Sequence, residues 1–245
     1  NESRANAVLA REGDVVFNTE NENGTFGTAE DIKGKTFLTT TVSTGTYTLS
    51  GYLAQFGLTE NDVTVRNLEQ AQAIAAFESG EGDYLVLWAP FLYTGLEKGW
   101  QEVATAEQVG STCLMLWVAD PKMAEENPDA IASMLAMMSE GADRLNDEGT
   151  DMAAEISSFF TDWAAMDVSE ENAALDIESH DIPSLEDQLE MLQSGELLED
   201  LQKSADYFVT QGQYTADERQ QLEDKGFCID SSFLERAIEI KGEKN

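Results

Sequence analysis

The segment from Thr39 to Thr46 carries the first chemistry in the chain. A β-branched and aromatic run over residues 36–41 passes into Ser43, Thr44, Gly45 and Thr46. Apolar residues at helical spacing follow, at Leu49, Tyr52, Leu53 and Phe56. A strand that turns here into a helix presents free backbone N–H groups at the positive end of the helix dipole. The hydroxyls of Ser43, Thr44 and Thr46 add donors, and Gly45 lets a ligand approach the backbone. Such a turn receives a carboxylate, sulfonate or phosphate without any basic side chain. The same residues also suit an ordinary N-cap. A second group is Trp88, Pro90 and Tyr93, at the end of a predicted strand over residues 84–87. These aromatics could wall a cleft with apolar faces and polar tips, or simply plug its rim. Asp83, in the turn before that strand, is a further contact candidate or a turn residue.

Other chemistries find little support. The one histidine, His180, sits in an acid-rich, loop-like stretch before Pro183 and reads as a surface residue; alone it cannot build a multi-histidine metal site. Cys113 and Cys228 lie far apart without CxxC spacing, so they are either a disulfide or two buried thiols. No G-x-S-x-G elbow occurs, and a triad would have to recruit His180. No metal or cofactor is expected. Forty-eight acids stand against fourteen bases, a formal net charge of −34. That balance argues against nucleic-acid binding and against adsorption to anionic membranes. The acids are spread along the whole chain and read as a strongly solvated surface. With so many of them, a carboxylate pair discriminates nothing.

The pattern that positions these residues changes near residue 120. Before it, the sequence predicts strands over 7–11, 36–41, 63–65 and 84–87, alternating with helices over 28–34, 46–57 and 71–77. That rhythm implies an α/β fold with a mostly parallel sheet. The apolar stretch 113–119 is a further strand, too short to span a bilayer. Beyond it, Asn127-Pro128 opens a helix with an apolar stripe at Ile131, Met134, Leu135 and Met138. Helices are predicted near 150–165, 169–177, 184–193, 196–211, 216–225 and 231–240. No basic n-region followed by an apolar stretch opens the sequence, so a signal peptide is not expected within it.

The order of these motifs resembles a known family. Asp31-Ile32-Lys33-Gly34-Lys35-Thr36 is similar to the D-L-K-G-K element of periplasmic solute-binding proteins. The Ser43–Thr46 turn, Gly57-Leu58, Asp62-Val63, Ala75-Ala76-Phe77, Ser79-Gly80, Asp83, Trp88 and Pro90 follow collinearly. Val118-Ala119-Asp120-Pro121 and Ile229-Asp230-Ser231-Ser232-Phe233-Leu234 resemble the family's return strand and closing helix. The chain looks like the nitrate/sulfonate/taurine and thiamine-precursor binding group of ABC-importer receptors.

The resemblance implies a two-lobed type II periplasmic-binding-protein-like fold that closes on its ligand. The second α/β lobe would be residues 12–112. Residues 1–11 and 113–245 would form the first lobe, with crossing strands at 7–11 and 113–119. The N-terminal core strands of that first lobe would be missing. Ser43, Thr44, Gly45 and Thr46 would hold the polar head of a solute, with Trp88 and Tyr93 beside its body and Asp83 a further contact. The implied role is non-enzymatic: a monomer outside the cytoplasm, periplasmic or lipid-anchored, delivering a small sulfonate-, nitrate- or thiamine-precursor-like molecule to an ABC permease. A ligand-sensing domain of the same fold is an alternative. A thiamine-pyrimidine synthase-like enzyme is less favoured, since such enzymes need a cysteine-rich motif and an active-site histidine.

Overall fold

The computed structural model describes residues 1–147, 151–180 and 182–243. In chain order the elements begin with β1 (Asn6–Ala10), α1 (Ala29–Ile32), β2 (Thr36–Thr39), α2 (Thr44–Ala54) and β3 (Thr64–Asn67). Next come α3 (Gln70–Glu78), β4 (Tyr84–Trp88), α4 (Phe91–Glu97) and β5 (Gln101–Thr105). Helices follow: α5 (Pro121–Glu126), α6 (Pro128–Leu145), α7 (Ala153–Trp163) and α8 (Glu170–Ser179). The last are α9 (Leu185–Ser194), α10 (Glu196–Thr210), α11 (Ala216–Asp224) and α12 (Ser232–Glu243).

The chain forms two compact units, Asn1–Met115 with Ala153–Asp181, and Leu116–Met152 with Ile182–Asn245. The first holds a five-stranded sheet in the order β3-β2-β4-β1-β5. β2 pairs in parallel with β3 and β4, while β1 runs antiparallel to both β4 and β5. Four strands therefore share one direction and β1 opposes them. One face carries α2, whose Leu49, Tyr52 and Leu53 pack with Val8, Phe37, Tyr84 and Val86. The other carries α3 and α4, whose Ile74, Phe77 and Leu92 pack with Ala7, Leu9, Leu38, Leu85 and Leu87. Strands buried on both faces read as continuous apolar runs, as in Tyr84–Leu87.

Three expectations are corrected. Residues 1–11, expected in the first lobe, lie in the sheet unit: β1 is an interior strand, hydrogen-bonded on both sides. Helices α7 and α8 belong to it as well, and α8 is tied to α4 by Asn172 Nδ2 donating to Glu97 Oε1 at 2.8 Å. Residues 113–119 are not a strand, because no described strand pairs with them; Trp117 and Val118 are exposed. The remaining predicted helices are present with ends within a few residues, and β5 was not anticipated.

His180 is not the surface residue its neighbours suggested. It follows α8 with Nδ1 at 2.7 Å from the Asp176 carbonyl, and its Nε2 faces the Glu2 carboxylate at 3.8 Å. Asp176 Oδ1 stands 3.5 Å from Nδ1. The facing Glu2 carboxylate, then the contacts with Asp176, raise the histidine pKa against the opposing effect of burial. Burial also raises the Asp176 carboxyl, and burial, followed by the Glu2 charge, pushes the Cys113 thiol up to about 12. A histidine whose folded pKa is raised contributes stability that is fully present below its unfolded value of about 6.5 and is lost as pH climbs through the folded value. The urea midpoint of the sheet unit is therefore expected to fall from pH 6 to pH 9. His180→Gln should flatten that dependence; an unchanged slope in the variant would remove the histidine as its cause.

The second unit is helical. Small residues Ala132, Ala136 and Ala237 let α6 and α12 approach closely, with Leu185 and Leu234 completing the core. Arg236–Asp129 and Lys241–Asp143 ion pairs tie α12 to α6. The buried face of α6 runs through Ala132, Ala136 and Ser139, and Met134, expected in the core, is 42% exposed. Asn127 precedes Pro128 at the start of α6 but makes no side-chain cap. Cys113 is buried and Cys228 exposed, both free thiols.

Candidate functional site

The parallel strands β2 and β4 end beside the N-terminus of α2, where open α/β sheets bind ligands. Ser43 is the N-cap of α2: its Oγ accepts from Thr46 N–H at 3.3 Å and donates to the Thr40 carbonyl at 2.6 Å. Thr46 Oγ1 accepts in turn from Ser43 N–H at 3.1 Å, so the two residues close a reciprocal capping box. Their hydroxyls are thus committed to orienting the helix, and Thr46 is buried. What the cap leaves open are the N–H groups of Thr44 and Gly45, for which the described residues supply no acceptor. Just ahead, Val42 is a β-branched residue at φ 56°, a left-handed conformation that costs on the order of 1–2 kcal/mol.

Gly45 is needed for close approach. A Cβ there would stand 3.0 Å from Thr39 Oγ1 and 3.4 Å from Cε3 of Trp88. The second helical residue therefore lies over the Thr39 hydroxyl and against the Trp88 ring. Thr39 is 0% exposed and its Oγ1 has no hydrogen-bond partner. Trp88 is half-buried, pairs across the strands with Asn6, and donates its backbone N–H to Gln70 Oε1 at 2.9 Å. Asn6 is fully buried; its Nδ2 donates to the Glu2 carbonyl, but Oδ1 has no partner. Such unpaired buried groups cost about 1–3 kcal/mol each and call for an explanation. By strand alternation Asn6, Thr39 and Trp88 all lie on the α2 face of the sheet.

The sequence candidates divide accordingly. Ser43, Thr44, Gly45, Thr46 and Trp88 are brought together. Asp83 is not: it starts β4 at the opposite end of the sheet, where Oδ2 accepts from Thr36 N–H at 2.8 Å and Oδ1 faces Lys35 Nζ at 3.4 Å. Tyr93 is also elsewhere. Beyond the cis Ala89–Pro90 bond it turns into α4 on the other face of the sheet, 2% exposed. Asn6 and Gln70 were missed, and Thr39, which opens the singled-out segment, was given no contact role, although Asn6 and Thr39 are polar residues at core-facing positions of otherwise apolar strands. Among the described residues, no cluster of three histidine, cysteine or acidic side chains could hold a metal ion.

The family described as NMT1/THI5 like matches residues 7–148, more than half of the chain. The taurine-binding periplasmic protein of Escherichia coli K12 is 32% identical over 110 residues, which are 44% of this chain and 34% of that protein. Among solved structures, the periplasmic aliphatic sulphonate binding protein SsuA of Escherichia coli aligns with a TM-score of 0.66 at 20% identity, over 86% of this chain and 62% of its own. The desulfurization enzyme DSZB aligns with a TM-score of 0.59 at 13% identity, over 96% of this chain and 76% of its own. The chain thus spans about a third of the taurine-binding relative and under two thirds of SsuA. Both structural likenesses establish the fold, which hosts binding proteins and an enzyme alike. The chain belongs to the NMT1/THI5-like family.

Proposed function

We propose that this chain is the solute-binding component of an ABC importer, working outside the cytoplasm, and that it takes the anionic head of a small sulfonate- or nitrate-like solute at the N-terminus of α2. The observation that carries the reading is the meeting of two unaccepted N–H groups, at Thr44 and Gly45, with the buried, unpartnered Thr39 hydroxyl beneath them. All three are donors that lie together at the positive end of a helix dipole. Trp88 would lie along the solute's apolar body. The names of the taurine- and sulphonate-binding relatives support the solute class. As in receptors of this kind, a permease would read the ligand-bound state.

The test is a thermal-shift screen against short alkanesulfonates, taurine, nitrate, bicarbonate and aminopyrimidines. Binding to the native state alone raises the melting temperature by mass action. A saturable shift confined to sulfonates or nitrate is expected; a shift only with aminopyrimidines would move the solute class, and none with any anion would overturn the anion site. Trp88→Ala is expected to weaken binding about five-fold, the loss of roughly 1 kcal/mol of ring contact. Unchanged affinity would take Trp88 out of the site.

A further inference from the structure

The opposite face of the same sheet carries a cavity of about 340 Å³, roofed by α4 and α8 over the edge strand β5. Glu102 and Thr105 of β5 enter it, because they pair with Leu9 and Ala7, which belong to the α3–α4 core. Leu92 and Leu96 of α4 and Leu175 of α8 supply apolar walls. Two polar groups in it are unspent. The Tyr93 hydroxyl is fully buried with no hydrogen bond of sound geometry, although Ser179 and Asp176 stand near it. The Glu102 carboxylate is half-buried and has neither a hydrogen bond nor an ion pair among the described residues. Arg4 and Glu107, both exposed, bring opposite charges to the lining, and Glu102 together with Asp176 beside the Tyr93 hydroxyl makes the interior acidic.

We propose that this cavity is a second binding site, for a small primary ammonium compound with a short apolar stem, its ammonium held by Glu102 and Tyr93. Three N–H donors on one nitrogen match a carboxylate and a phenolic oxygen at once. The stem would lie on Leu92 and Leu96. A divalent metal fits less well, since these carboxylates fall short of the oxygen ligands such ions take. The site is separated by the sheet from the anion site at α2, so the proposal goes beyond the solute-binding role and does not depend on it. Burial raises the Glu102 pKa. A bound ammonium beside the carboxylate would act against that burial effect.

The experiment is calorimetric titration of the whole chain with n-butylammonium chloride at fixed ionic strength, with tetramethylammonium chloride as the comparison. Tetramethylammonium has the same charge and no N–H donor. Saturable one-site binding of butylammonium, at least ten-fold tighter than tetramethylammonium, is expected. Glu102→Gln should abolish it, Tyr93→Phe should weaken it about three-fold, and Glu12→Gln, an exposed acid elsewhere, should leave it unchanged. Affinity should also fall as pH is lowered through the Glu102 titration. Equal binding of the two cations, or binding retained in a folded Glu102→Gln protein, would reduce the effect to the general attraction of an acidic surface and overturn the proposal. Thr39→Val, at the other site, separates the two readings: it should leave butylammonium binding intact.

Discussion

Thr39→Val is expected to make the protein more stable and, at the same time, a poorer receptor. The side chain is 0% exposed, and its hydroxyl has no hydrogen-bond partner beneath the N-terminus of α2. Valine has nearly the same shape and a higher preference for strands. Replacing an unpaired buried hydroxyl by a methyl group removes a desolvation penalty of about 1–3 kcal/mol. If that hydroxyl instead donates to a bound anion, its removal forfeits a hydrogen bond to a charged group, worth about 1.5–3 kcal/mol. Affinity should then fall by roughly ten- to a hundred-fold. Urea unfolding and solute titration on the same preparation read both quantities. A more stable variant with unchanged affinity would leave Thr39 as a buried defect without function. A less stable one would mean that the hydroxyl already has a partner in the unliganded protein.

That pairing of opposite signs separates positioning from contact within the site. Ser43 and Thr46 satisfy each other's backbone groups, so Ser43→Ala removes a cap, typically about 1 kcal/mol of stability. Thr39 contributes nothing of that kind. The helix terminus is thus set by one pair of hydroxyls, while the unspent donors belong to the neighbouring strand and to the N–H groups of Thr44 and Gly45.

Local pattern made most elements legible, and the exceptions share a cause. The helices were readable because their apolar spacing and caps are local, as Ser184 before α9 shows by accepting from Asp187 N–H. The strands Thr36–Thr39 and Tyr84–Trp88 announce themselves by β-branched and aromatic runs. Residues 113–119 have the same composition, but a strand needs a neighbour to hydrogen-bond, and that is a long-range property. The converse holds for β5, where Gln101 and Glu102 conceal a strand that exists because β1 offers it an edge. Of the candidate site, the Ser43–Thr46 turn and Trp88 were visible as motifs. Tyr93 was assigned to the same wall because only five positions separate it from Trp88. The intervening turn sends it to the opposite face, which no spacing rule records. The partner of His180 was equally hidden, because Glu2 lies at the far end of the sequence.

Phe77→Ala is expected to cost the sheet unit about 3–5 kcal/mol, the range for deleting a fully buried aromatic ring. The residue is 0% exposed and lies edge-on to Trp100, with ring centroids 4.8 Å apart and planes at 86°. Its other face supports the Arg11 guanidinium, 3.7 Å from the ring centre. The same guanidinium donates to the carbonyls of Phe77, Glu81 and Gly82 at 2.6, 3.1 and 3.0 Å. These carbonyls lie at and just beyond the end of α3, where a cation also suits the dipole; that of Phe77 accepts from Gly80 N–H as well, at 3.0 Å. Losing the ring leaves a cavity under Trp100 and frees the arginine on one side, while its carbonyl bonds can persist. The unfolding midpoint should therefore drop without a change in the denaturant slope. Phe159→Ala, on the half-exposed face of α7, is the comparison and should stay within about 1 kcal/mol of the parent. A loss below about 1 kcal/mol at Phe77 would mean that the α3–α4 face is not a packed core. The ring sits at the end of α3 remote from Gln70, which holds the Trp88 N–H. Solute affinity per folded molecule should consequently stay near that of the parent. If affinity fell together with stability, α3 would be acting as a rigid lever between its core anchor and the site, and Gln70→Ala, which removes only the far end, should reproduce the loss without the destabilisation.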